Sequence, residues 1–334
     1  MRTTILLLTV ALVVSAIPCH SQIAVDRKSD EKSDESIRLS TELVALDVQI
    51  VDRKTQRVVN SLSRNDFEIY EDGVKQQIDQ FSQDTLPLSV VLLLDASASM
   101  WTLLESLRAN ALRALGSLKP EDEVALVVTA DETVLVRDFT KEKFLIADDL
   151  RELDFTKFGD DGILLHDSIY RAASHLLKAA NPANRRVIIA VTDNETIPTE
   201  HWKAFQKDEG VSLVLETGAV VCGLVLKRHV AMRTASKLLG FSPWQGGGDI
   251  RNYAEISGGE VLVSNNETVA EKLIKLIENL RARYSLAFVP SNSKRDGKFR
   301  RLKVRLASEL EQQLRNAGTS LVISTRSGYY AAKK

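Results

Sequence analysis

Leu88-Ser89-Val90-Val91-Leu92-Leu93-Leu94-Asp95-Ala96-Ser97-Ala98-Ser99 is the stretch that decides the fold. Residues 88–94 are apolar almost without a break, and they lack the polar alternation of a strand with one wet face. Such a run marks a strand covered on both sides. The polar turn Asp95–Ser99 ends it. Residues 103–118 then place Leu104, Leu107, Ala111, Leu115 and Leu118 at helical spacing. A doubly buried strand, a polar turn and an amphipathic helix form the opening unit of an α/β domain.

The same grammar continues downstream. Residues 124–129 read as a second buried strand and residues 134–136 as a third, at an edge. Residues 163–180 read as a helix with Ile169, Ala172, Ala173, Leu176 and Leu177 on one side. Strands at 187–191, 219–226 and 261–264 alternate with helical segments at 202–216 and 269–283. The expectation is an α/β domain over residues 86–283, with a doubly wound, mostly parallel, Rossmann-like sheet.

Both flanks change character. Residues 37–84 contain short strand patterns at 43–51 and 66–70, with Glu71-Asp72-Gly73 as a turn. Residues 284–334 return to strand patterns at 284–289, 299–307 and 321–324, with an Asp296-Gly297 turn signal. Each flank is too short to bury a core alone. The two are expected to combine into one small, sandwich-like β domain.

The N-terminus reads as an export signal over residues 1–21. Arg2 supplies a positive start, and residues 5–17 form an apolar run broken by Thr9 and Ser15. Pro18 ends it, and Cys19-His20-Ser21 allows cleavage after Ser21. The run is too short for an ordinary membrane span, although an uncleaved anchor is the alternative. Pro18 before Cys19 does not suit a lipoprotein. Residues 22–36 are polar and aperiodic, a linker. The expected location is outside the cytoplasm: periplasm, cell surface or medium, with no membrane span after cleavage. Cleavage leaves Cys222 as the sole cysteine, a small core residue within a buried strand. A net charge of −1 argues against nucleic acid as a partner, and an aromatic content of 6% against an aromatic carbohydrate groove.

Chemistry concentrates at two strand ends. Asp95, Ser97 and Ser99 offer a carboxylate and two hydroxyls in one tight turn. Thr192-Asp193-Asn194, after the strand at 187–191, places another carboxylate at the same edge. In open α/β sheets ligands bind outside the carboxyl ends of the strands, and oxygen-only donors suit a hard cation. The structural alternative is that Asp95, Ser97 and Ser99 only cap the following helix, and that residues 192–195 are a polar loop.

Asp-x-Ser-x-Ser at one strand end with Thr-Asp at a later one resembles the metal-ion-dependent adhesion site of von Willebrand factor type A domains. The flanks Asp66-Phe67-Glu68-Ile69-Tyr70-Glu71-Asp72-Gly73 and Gly328-Tyr329-Tyr330 are similar to segments of a bacterial exported group of such proteins. The resemblance implies a non-enzymatic adhesion module. Ser97 and Ser99 would be direct ligands of Mg2+, or of Mn2+ or Ca2+. Asp95 and Asp193 would ligate directly or through water, and a protein partner's acidic side chain would complete the shell. One departure stands out. Ile163 occupies the position where the family places a metal-binding threonine. Either the site is degenerate and metal-free, leaving a cell-envelope scaffold, or Asp160 or Asp161 supplies the missing oxygen.

Other readings are weaker. Ser97 and Ser99 are not in a G-x-S-x-G turn, and no motif places a histidine beside them. A metal-dependent hydrolase therefore ranks last, with Glu195 as its nearest candidate base. His166 and Asp167 read as a surface histidine beside a helix-capping aspartate. Gly246-Gly247-Gly248 lacks the ending of a phosphate loop. Residues 227–252 read as a surface loop holding Trp244 and a short helix at 231–239. Lys294, Arg295, Lys298, Arg300 and Arg301 read as a solvated hairpin.

Overall fold

The computed structural model describes residues 43–83, 86–158, 163–194, 207–226 and 249–333. The signal, the linker, Asp160, Asp161, Glu195, Trp244 and the 231–239 helix lie outside the described residues.

The central element is β5 (Leu88–Asp95), buried at every position. Its neighbours β6 (Glu123–Thr129) and β8 (Arg185–Thr192) run parallel to it on either side. β9 (Val220–Leu226) and β10 (Val261–Ser264) extend the parallel array beyond β8. β7 (Thr133–Thr140) closes the other edge and is antiparallel. The order is β10-β9-β8-β5-β6-β7. The chain thus builds outward from β5 in both directions, and the switch point lies between β5 and β8.

Two apolar layers sandwich this sheet. One holds α1 (Trp101–Leu115), α2 (Lys143–Glu152) and the later helix Val269–Arg281, against Leu92, Leu94, Leu126 and Ile189. The other holds α3 (Leu165–Leu176) and the helices Lys207–Thr217 and Ile250–Ser257, against Val91, Leu93, Val127 and Ile188. Those last three helices are α4 (Lys207–Thr217), α5 (Ile250–Ser257) and α6 (Val269–Arg281). Alternate residues of β5 feed opposite layers, so each fully buried leucine adds roughly 1.5–3 kcal/mol of apolar burial. Ile250 already begins α5, so the expected 227–252 loop runs three residues too far. α2 lies where no helix was read. Its Ile146, Ala147 and Leu150 are the buried residues of a helix only ten residues long.

The flanks form two antiparallel sheets. β1 (Val44–Asp52) pairs with β11 (Tyr284–Phe288) and with β13 (Leu321–Ser324), and β4 (Gln80–Ser82) lies beyond β11. β2 (Phe67–Glu71) pairs with β3 (Val74–Gln76) and β12 (Phe299–Leu306), and β14 (Gly328–Tyr330) lies beyond β12. Their inner faces share one core of Val48, Ile50, Phe67, Ile69, Tyr284, Phe288 and Val304. The chain ends do interleave, and neither flank makes a core without the other.

The tail departs from expectation in two places. α7 (Ser308–Asn316) lies between β12 and β13 and buries no residue, so apolar periodicity gave no signal for it. The Asp296-Gly297 turn, with Gly297 at φ +67°, does not close a hairpin, because β11 and β12 belong to different sheets. Nor is the basic cluster wholly solvated. Arg300 is buried, with its guanidinium 2.9 Å from Asp296 and 3.9 Å from Glu71. Lys294, Arg295, Lys298 and Arg301 are exposed.

Among the described residues no helix is long and apolar enough to cross a membrane.

Candidate functional site

β5 and β8 end side by side, and their last residues meet at the switch point. Asp95 is the final residue of β5 and is almost wholly buried. The backbone then turns through a single 3-10 turn, Ala98–Met100, into α1. Ser97 occupies the N-cap position of that turn, yet its side chain makes no capping bond. Its hydroxyl donates instead to Asp95 Oδ1 at 2.6 Å, and its backbone N–H reaches the same oxygen at 3.0 Å. Ser99 Oγ donates to Asp193 Oδ2 at 2.5 Å. Asp95, Ser97, Ser99 and Asp193 therefore form one chain of oxygens. The capping reading does not describe Ser97.

Each serine hydroxyl has one hydrogen, and each gives it to a carboxylate. The two serine oxygens lie 3.2 Å apart. With their hydrogens given to carboxylates, both serine oxygens keep lone pairs to offer as acceptors. Two carboxylates and two hydroxyl oxygens in one hydrogen-bonded chain make a donor set that favours positive charge.

The electrostatics agree. Burial pushes the Asp95 carboxyl up to about 7, with the charge of Asp193 adding to the shift and bonds from Ser97 and Thr192 opposing it. The O···O separations of 2.5–3.2 Å along the chain bracket the edge of about 2.9 Å expected for an octahedron of 2.0–2.1 Å metal–oxygen bonds. In donor type and spacing, these residues fit a small divalent cation. No group of three or more His, Cys, Asp and Glu side chains that could hold a metal occurs among the described residues. Hydroxyls make up half of the present set.

A surrounding frame fixes these groups. Thr192 Oγ1 donates to Asp95 Oδ2 at 2.7 Å, so both oxygens of Asp95 are engaged by neighbours. Asn194 adopts φ +62°, and its backbone N–H donates to Thr192 Oγ1 at 2.9 Å. Its side chain accepts from Ile250 N–H at 2.8 Å and donates to Asp249 Oδ1 at 2.9 Å. That ties the 192–194 turn to the start of α5, where Asp249 caps Arg251 N–H. Thr192 and Asn194 were visible as part of Thr-Asp-Asn but were not read as holding the site together. A second hydroxyl network adjoins it. Thr129, in register with Asp95, lies 2.6 Å from Ser168 Oγ, and Thr133 donates to Asp167. Sequence reading missed these because Thr129 and Thr133 look like ordinary strand residues.

Ile163 does not approach this chemistry as a ligand. It is 1% exposed and packs in the apolar layer with Val91, Leu93 and Ile169. His166 is not on the surface: it is buried, and its Nδ1 shares a 2.8 Å hydrogen bond with the hydroxyl of Tyr253. Asp167 does not cap α3. It receives Arg171 Nε at 2.7 Å. Cys222 is buried, and burial pushes its thiol up to about 11.

Residues 90–195, which contain both halves of the oxygen chain, match the family model of the von Willebrand factor type A domain. The chain carries a von Willebrand factor type A domain. Solved structures similar to it include the conserved hypothetical protein BatB from Bacteroides thetaiotaomicron, 16% identical, covering 58% of this chain and 98% of that one, TM-score 0.42. Proximal thread matrix protein 1 from the mussel byssus is 12% identical over 63% of this chain and 51% of its own, TM-score 0.45. The vWF domain of the type V pili tip protein Mfa5 from Porphyromonas gingivalis is 11% identical over 59% and 95%, TM-score 0.42. These are likenesses of fold. No curated protein matches the chain in sequence.

Proposed function

We propose that the type A domain is a non-catalytic binding module of an exported protein, recognising an acidic side chain of a protein partner through a divalent cation. The observation that carries this is the pair of serine oxygens, 3.2 Å apart, each bonded to a carboxylate of a different strand end. Ser97 and Ser99 would hold the ion directly. Asp193 would ligate it or act through water, and Asp95, engaged on both oxygens, would orient Ser97. A bound Mg2+ or Mn2+ would supply an open coordination position to which a partner's carboxylate adds. Thr192 and Asn194 keep the two strand ends in register, so the donors are positioned before any partner arrives.

A second reading follows from Ile163. With an apolar side chain in the place of the family threonine, the domain could be a cell-envelope scaffold whose site is silent. Calorimetric titration with Mg2+, Mn2+ and Ca2+ separates the two. The adhesion reading expects saturable binding to at least one ion, weakened tenfold or more in Ser97→Ala. No heat from any of the three supports the silent scaffold.

A further inference from the structure

β8 carries the Thr192 end of the candidate site. Its opposite end, Arg185-Arg186, opens onto a cavity of about 510 Å3 where the β domain meets the type A domain. β1 and β11 of the β domain face it from one side. The ends of β8, β9 and α4 face it from the other, and Arg326, between β13 and β14, reaches in.

The hydrogen bonds of these arginines do not balance. Arg185 is fully engaged. Its side chain is completely buried, with Nε donating to Asp47 at 2.8 Å, Nη2 to Ser285 Oγ at 3.2 Å and Nη1 to the Leu280 carbonyl. Arg186 spends Nη1 on the Thr217 carbonyl at 2.9 Å, but its buried Nε has no hydrogen-bond partner among the described residues. Arg326 spends Nη2 on the Ala45 carbonyl at 2.6 Å, and its buried Nε also has none. Its Nη1 lies 3.9 Å from where a Cβ would stand on Gly218, at the cavity wall. Arg283 is wholly buried, with Nη2 bonded to Gln49 and to the Gly258 carbonyl. Its Nε and Nη1 are unpartnered. Desolvation pulls the Arg283 and Arg326 guanidiniums below their usual range.

The carboxylates offset only part of this charge, Asp47 acting on Arg326 through space. Of the cavity's two acidic residues, Asp47 is taken by Arg185, and Glu216 makes no ion pair within 4 Å among the described residues. Among the described residues the hydrogen bonds of Arg186 and Arg326 go to neutral carbonyl oxygens, and the Arg326 guanidinium also lies 5.7 Å from the centre of the Tyr329 ring. A half-buried guanidinium served mainly by carbonyls keeps part of its charge uncompensated. Planar N–H forks are also the side-chain geometry best matched to carboxylate and phosphate oxygens.

We propose that this cavity binds a small oxyanion, a phosphate or carboxylate group, seated between Arg186 of the type A domain and Arg326 of the β domain. Because each domain supplies one guanidinium, the anion would also clamp the two together. The cavity has room for an organic body attached to the charged group. This site is separate from the oxygen chain at the other end of β8, and the inference does not depend on a metal there.

The test is calorimetric titration of the full chain with inorganic phosphate and, separately, with citrate, in EDTA and at constant ionic strength set with chloride. Saturable one-site binding is expected for at least one probe. Phosphate alone would identify a phosphoryl ligand, and citrate alone a carboxylate ligand. Affinity should fall at least tenfold in Arg186→Met and in Arg326→Met, which keep the apolar stems, and stay unchanged in Lys303→Met on the exposed face of β12. Should either arginine variant misfold, the wild type still decides. The productive anion must raise its melting temperature above that in chloride. No saturable binding of either probe, or undiminished binding in both arginine variants, overturns the proposal.

Discussion

Replacing Ile163 by threonine tests packing and chemistry together. Ile163 is 1% exposed and sits among Val91, Leu93 and Ile169. The change removes about two carbon groups from that layer, a loss of about 1.6 kcal/mol at about 0.8 kcal/mol each. It also buries a hydroxyl, which costs roughly 1–3 kcal/mol if it finds no partner. The sum is about 3 kcal/mol, a fall in melting temperature of roughly 4–6 °C at about 2.1 cal/mol/K of unfolding entropy per residue. The assay is thermal unfolding in EDTA, followed by circular dichroism, and repeated with saturating Mg2+. If the threonine hydroxyl joins the oxygen set and tightens the ion tenfold, about 1.4 kcal/mol of the loss returns in Mg2+. Magnesium affinity appearing only in the variant would mark the native site as silent. A melting temperature within 1 °C of wild type in EDTA would refute the packing argument itself.

Three further outcomes follow from the same geometry. Asp193→Asn removes the like charge that pushes the Asp95 carboxyl upward. In EDTA the variant should be as stable as wild type or more so, by about 1 kcal/mol, while divalent-ion heats disappear; marked destabilisation in EDTA would contradict it. Cys222, its thiol raised by burial from 9.0 to about 11, should alkylate in the native protein at pH 8 at least about a hundredfold more slowly than in denaturant. Mass mapping of the Cys222 peptide distinguishes it from Cys19. Gly258 ends α5 at φ +76°, and a Cβ there would stand 2.4 Å from the Thr325 carbonyl carbon. Gly258→Ala should destabilise by about 3 kcal/mol or more, and a denaturant midpoint equal to wild type would show that the α5–tail contact can relax.

The legible parts of the fold were those whose signal is one-dimensional. β5 announces itself because every residue is buried. The helices α1, α3 and α6 carry apolar positions at steady helical spacing. The mixed origin of the β domain was readable because neither flank has enough apolar length to form a core alone. α2 and α7 escaped notice for the opposite reason. One is ten residues long, and the other sets only Leu310 and Leu314, half-buried, against the β core, so each period is too short to stand out. His166 was misplaced because its partner, Tyr253, is 87 residues away. Arg300 was misplaced because Glu71 reaches it from another strand.

At the candidate site, the sequence carried the donors but not their frame. Asp95, Ser97 and Ser99 lie within five residues, and Asp193 directly follows the neighbouring strand, so their meeting follows from sheet order. The bonds made by Thr192 and Asn194 depend on tertiary geometry, Asn194 on a left-handed backbone and on the position of α5. Asp160 and Asp161, named as possible substitutes for the missing threonine, lie outside the described residues.

The most direct test of the central claim is anomalous scattering from crystals of the protein soaked in MnCl2. The account predicts a single strong manganese peak between Ser97 Oγ and Ser99 Oγ, within bonding distance of both, that disappears in Ser99→Ala. A featureless map at that position under saturating Mn2+, with the two serine hydroxyls still bonded to Asp95 and Asp193, would contradict it.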